Sequence, residues 1–153
     1  MASPEERIAE LGLQLPDVVA PIAAYVPATR SGALVFTSGQ LPLTNGELMA
    51  KGLVGVDVDP EQAAACARIC ALNALAAVRS LTGDLSQVTR VVKVVGFVAS
   101  SPDFTGQPAV VNGASQLLGD VFGDAGTHAR SAVGVASLPL GAPVEIEMIV
   151  EVA

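Results

Sequence analysis

Apolar and polar residues alternate along this chain with two different periods, and the switches between them mark its elements. In "VEIEMIVEV", Val144, Ile146, Met148 and Val150 alternate with Glu145, Glu147, Ile149 and Glu151. That period of two predicts a strand with one aliphatic face. "RSAVGVAS" just before it predicts a second strand. Its Val133 and Val135 suit the aliphatic face, which leaves Arg130, Ala132, Gly134 and Ala136 on the other. On this parity Arg130 and Glu145 project from the same side of the sheet. "VTRVVKVVGFVAS" is β-branched on both parities, with Val92, Val94 and Val98 on one and Val91, Val95 and Phe97 on the other. Both of its faces are therefore expected to be buried.

Two stretches switch to the helical period. Asp59 and Pro60 open a helix expected to run from about 60 to 82, with Gly83 as its stop. Ala63, Ala67, Cys70, Ala74, Ala77 and Leu81 form its small, aliphatic face, suited to packing on a sheet. A second helix is expected over 107–122, and a short one over 3–13, where Ser3, Pro4 and Glu6 supply a capping box. "IAAYVPATRSGALVFTSGQLPL" reads as two strands joined at Arg30-Ser31-Gly32, and Asn45-Gly46 signals a further hairpin. The order β-β-(β)-α-β-α-β-β predicts an α+β fold: one mixed sheet with two helices on one face, in a single domain spanning 1–153.

Composition narrows the function. Hydrophobic residues are 51% of the 153 and charged residues 15%, an apolar balance that predicts an oligomer. No uninterrupted apolar run approaches the ~18 residues of a membrane span. "MASPEERIAELGL" has neither the basic start nor the apolar stretch of a signal peptide, so a cytoplasmic location is expected. A net charge of −7, one Tyr and no Trp disfavour nucleic acid, which needs a basic groove and stacking side chains. Cys66 and Cys70 fit small core residues. With a single histidine, His128, the usual zinc cluster cannot be assembled, and no metal site is expected. His128 itself is expected in a solvent-exposed loop.

The segments "FTSGQLPL", "VVKVVGFVAS", "PDFTGQPAVVNGAS" and "RSAVGVASLPLGAPVEIEMIV", with the helix that bears Asn73, resemble the Rid (YjgF-like) family of reactive-intermediate deaminases. That family is also known as endoribonuclease L-PSP or translation inhibitor. The resemblance covers roughly residues 20–153 and leaves the N-terminal helix and the 41–55 loop as additions. It implies a chorismate-mutase-like fold, a homotrimer, and clefts between subunits that take small 2-imino or 2-keto carboxylates. It also implies that Arg130 grips the substrate carboxylate and that Glu145 activates the water that hydrolyses the imine. Tyr25, Ser38 and Asn112 would line the cleft, and no cofactor is implied. Ala132 stands where active members often carry cysteine. The resemblance leaves two alternatives beside the deaminase: a non-catalytic sensor of small carboxylates, and an endoribonuclease.

Overall fold

A computed structural model of the protein describes residues 1–18 and 24–153. Strands β1 (Ala28–Ser31), β2 (Leu34–Thr37), β5 (Val88–Ala99), β6 (Ala129–Val135) and β7 (Val144–Val152) form one sheet in the order β1-β2-β7-β5-β6. β5 and β6 run parallel, with helix α3 (Gln107–Phe122) crossing between them, and the other pairs are antiparallel. β3 (Leu43–Thr44) and β4 (Glu47–Leu48) make a separate hairpin at Asn45-Gly46, where both residues have positive φ. The result is the mixed α+β arrangement that the periodicities predict.

Two of the helices open on side-chain caps. Ser3 and Glu6 exchange the two hydrogen bonds of a capping box at the start of α1 (Pro4–Glu10), which stops three residues short of the expected end. Asp59 accepts from the Gln62 N–H to open α2 (Pro60–Thr82), and Gly83, at φ 77°, closes it. α2 is long and apolar enough to cross a membrane by length and composition alone. Its face from Ala63 through Val78 is instead buried in the core with α3 and the sheet, and Cys66 and Cys70 are free thiols within it. Asn73 on α2 donates to the carbonyls of Leu41 and Leu43, both at 3.0 Å, and so pins the β3–β4 hairpin to the helix.

The sheet's helix-facing side carries Val144, Ile146, Met148 and Val150, all 0–1% exposed. The other side carries Glu145, Glu147, Ile149 and Glu151, each half-buried, as the alternation predicts. Two parity expectations fail. In β5 a register shift between Val91 and Lys93 adds one residue, so Val91 joins Val94 and Val98 on the buried side. The opposite side, with Val95 and Phe97, is only half-buried within the chain.

The second failure is in β6. Its parallel register sets Arg130 beside Val94, Ala132 beside Gly96 and Gly134 beside Val98, which places all three on the helix side. Val133, expected there, lies on the far side and is 45% exposed. The reason is the closeness of α3. A Cβ on Gly96 would run into Val111, and one on Gly134 would lie 2.8 Å from Gln107 Nε2. Small residues mark the tight side of this strand, and the valines mark the open one. Arg130 and Glu145 therefore leave opposite faces of the sheet.

The predicted first strand reached back to Ile22, and residues 22 and 23 lie outside the described residues. The strand itself begins at Ala28, so Tyr25 falls in a bend before it.

Candidate functional site

The candidate residues gather in two places. The first is built by α3 against β6. Arg130 Nη1 donates to Asn112 Oδ1 at 2.7 Å and to Ser115 Oγ at 3.2 Å, and Nη2 donates to the Pro108 carbonyl at 3.3 Å. Asn112 and Ser115 sit three residues apart, on one helical face. Among the described residues, these bonds use both Nη1 hydrogens and one Nη2 hydrogen. The Nε–H and one Nη2–H have no partner among the described residues, which leaves the planar guanidinium donors for a carboxylate. Ala132, two residues on, is partly buried against the core and offers no side-chain chemistry.

Ser115 also meets His128 Nε2 at 2.9 Å, and His128 Nδ1 lies 2.6 Å from the Gly126 carbonyl. His128 is thus half-buried and held at both nitrogens, not the free loop histidine expected. Ser115, Gly119, Gly126, Thr127, His128 and Arg130 line an open recess of about 320 Å³.

The second place is built where β2 gives way to a bulge. Gln40 and Ile146 exchange backbone hydrogen bonds of 2.8 and 3.0 Å, one residue out of the register that pairs Phe36 with Ile149. The extra residue is absorbed at Ser38-Gly39. Gly39 then lies directly against Glu145: a Cβ there would be 2.7 Å from both Cδ and Oε2 of the carboxylate. Burial, with Glu147 next on the same strand face, pushes the Glu145 carboxyl above its usual range. Ser38 Oγ donates to the Val26 carbonyl at 2.6 Å and so ties the Tyr25–Val26 segment to this bulge. Tyr25 is 57% exposed.

One chain therefore joins Arg130 to Asn112 on one side of the sheet and sets Glu145 against Gly39, the neighbour of Ser38, on the other; it does not bring Arg130 and Glu145 together. Sequence reasoning missed Ser115 and Gly39. Ser115 was legible only as the residue one helical turn beyond Asn112, and Gly39 only as a glycine in an otherwise extended run. Among the described residues no group of three or more His, Cys, Asp or Glu is placed to hold a metal ion.

Comparison with known proteins agrees with this fold. Residues 5–152 match the family described as "YjgF/chorismate mutase-like, putative endoribonuclease", and the chain belongs to that family. Protein TCP17 of Trypanosoma cruzi is 44% identical over 146 residues, 95% of this chain and 91% of that one. The crystal structure of Atu1372 from Agrobacterium tumefaciens, a protein of unknown function, is 52% identical and superposes with a TM-score of 0.92. It is matched over 98% of this chain and 92% of that one. The E. coli TdcF structure with bound serine is 27% identical, with a TM-score of 0.65 over 89% and 94% of the two chains.

Proposed function

We propose that the protein hydrolyses 2-imino acids, or their enamine tautomers, to 2-keto acids and ammonia. The observation that carries this reading is the clamp on Arg130. Three acceptors from α3 fix its guanidinium and leave the Nε–H and one Nη2–H for a ligand carboxylate. Holding that carboxylate orients the neighbouring C=N carbon for attack. Glu145 is the general base: its raised carboxyl is a stronger proton acceptor than an ordinary glutamate at neutral pH. It takes a proton from water as the oxygen adds to the imine carbon. The imine nitrogen receives that proton to give the carbinolamine. Glu145 then passes the hydroxyl proton to the amine, the C–N bond breaks, ammonia leaves and the C=O of the 2-keto acid forms.

Because the two residues leave opposite faces, the complete site takes Arg130 from one copy and Glu145 from another. This supports a homotrimer with clefts between subunits. The half-exposed Val95, Phe97 and Val133 would be covered in that assembly. Tyr25, Ser38, Asn112 and Ala132 line the cleft in this reading.

The test is semicarbazide trapping of imine made by an amino-acid oxidase. Added protein should lower the semicarbazone in proportion to its concentration, and no change at any concentration would remove the deaminase reading. Sedimentation equilibrium should give a trimer.

A second reading, a sensor of small carboxylates, is favoured by one observation: the related TdcF structure holds serine, an amino acid with a carboxylate for such donors. It needs Arg130 but not Glu145. The ribonuclease reading has less support, since a chain of net charge −7 has little to offer a phosphate backbone.

A further inference from the structure

We propose that Ser115 and His128 are positioning residues for Arg130, acting as a one-way hydrogen-bond relay that fixes the guanidinium before any ligand arrives. The proposal rests on the carboxylate reading of Arg130 and explains how that residue is aimed.

Each bond in the relay has its direction set by the one before. The Gly126 carbonyl can only accept, so Nδ1 of His128 carries the hydrogen across the 2.6 Å contact. Nε2 of the neutral ring is then an acceptor, and the Ser115 hydroxyl donates to it across 2.9 Å. With its only hydrogen committed, Ser115 Oγ presents lone pairs, and Arg130 Nη1 donates to one at 3.2 Å. Asn112 Oδ1 takes the other Nη1 hydrogen at 2.7 Å. Rotation of the guanidinium would break both.

The origin of the relay is fixed by packing. Gly126 closes the 3₁₀ turn Gly123–Gly126, and a Cβ on it would run into the backbone carbonyl of Leu118. Only glycine lets this turn pack so closely on α3, and its carbonyl then orients the imidazole two residues on. The sequence "GDAGTHAR" thus carries one device: a glycine that sets the ring, a histidine that sets the serine, and the arginine two residues later. The relay has a second property. A serine whose hydroxyl is already committed to histidine does not bond the carbonyl one turn back in its own helix, an option open to a mid-helix serine.

The experiment measures Arg130 directly and then its ligand. In ligand-free protein, ¹⁵N relaxation at Arg130 Nε should report an ordered side chain. Order should fall in Ser115→Ala and His128→Phe, and recover in Ser115→Thr and His128→Gln, which restore the hydroxyl and an acceptor near Nε2. Titration with 2-oxobutanoate should then show Ser115→Ala binding about tenfold more weakly, within the scale of one hydrogen bond to a charged group. In the hydrolysis assay KM should rise while kcat holds. In an Arg130→Ala background the Ser115→Ala effect should vanish, because the serine acts only through the arginine. Unchanged Nε order in Ser115→Ala overturns the proposal, as does a Ser115→Ala loss that persists without Arg130. Loosening of Arg130 with no change in 2-oxobutanoate affinity supports the positioning role and assigns the failure to the carboxylate reading of Arg130.

Discussion

The two halves of the candidate site are built on opposite principles. Arg130 is surrounded by acceptors: an amide oxygen, a hydroxyl and a helix carbonyl, all presented by α3. Every one is neutral, so the charge is oriented without being cancelled, and its attraction for an anion survives. Glu145 stands on a strand face that is partly desolvated, against the bare backbone of Gly39 and beside another glutamate. Its surroundings make the charged form costly, where those of Arg130 make it comfortable. The first environment suits recognition, which needs a fixed geometry. The second suits proton transfer, which needs a base that gains by being protonated.

The sharpest way to break this comparison is to separate the halves genetically. Glu145→Gln should lower imine hydrolysis by about 10²–10⁴, the range of a general-base contribution. It should leave 2-oxobutanoate affinity within about tenfold, or 1.4 kcal/mol. Arg130→Ala should also be inactive. Co-assembled from the two inactive chains, mixed oligomers should regain activity, since some clefts receive Arg130 from one copy and Glu145 from the other. Mixed oligomers as inactive as their parents would place both residues' work within one chain and defeat the two-faced site.

Arg130→Lys tests recognition alone. It keeps the charge but loses the planar fork and the Asn112–Ser115 clamp. Carboxylate binding should weaken by about 1.5–3 kcal/mol, read by isothermal titration. A lysine that binds as well as arginine would show that charge suffices and that the clamp is incidental.

Gly39→Ala reaches the other half without replacing a charged group. The new methyl would need the space of the Glu145 carboxylate, which must swing away. Hydrolysis should fall by about tenfold or more, as for a catalytic group displaced by an ångström. Binding at Arg130 should hold. Loss of both together would mean that the bulge, not the carboxylate, was damaged.

How far the sequence foretold this arrangement depends on what each residue faces. α2, α3, β5 and β7 were legible to within a residue or two, because Asp59, Gly83 and the strict alternation in β7 act locally. The face of Arg130 was not. Assigning a side by aliphatic bulk assumes that the core takes the largest residues. In β6 the core side is so close to α3 that it admits only Ala132, Gly134 and an arginine whose head reaches the helix's polar edge. Val133 lies on the opposite face, where it is 45% exposed. The strand alone cannot reveal this; the crossover that seats α3 decides it. The resemblance named Arg130, Glu145, Ser38 and Asn112, and the structure divides them into two groups.

The smallest expected effect concerns stability and follows from the raised Glu145 carboxyl. Its folded-state value lies above the unfolded one because burial and Glu147 oppose ionisation. Below the unfolded glutamate value, near 4.3, both states carry the proton and the residue's contribution is fully present. As pH rises through the folded value the native state must ionise a disfavoured group, and that contribution is lost. Glu145→Gln has no proton to lose. Its unfolding midpoint in urea should match that of the wild type near pH 4 and exceed it at pH 8. The excess should shrink in Glu147→Gln, where the neighbouring charge is already gone. Equal midpoints at both pH values would mean that Glu145 is solvated as freely in the folded protein as in the unfolded chain. The contrast with Arg130 would then lose its electrostatic half, and the geometry of the bulge would have to account for any catalysis.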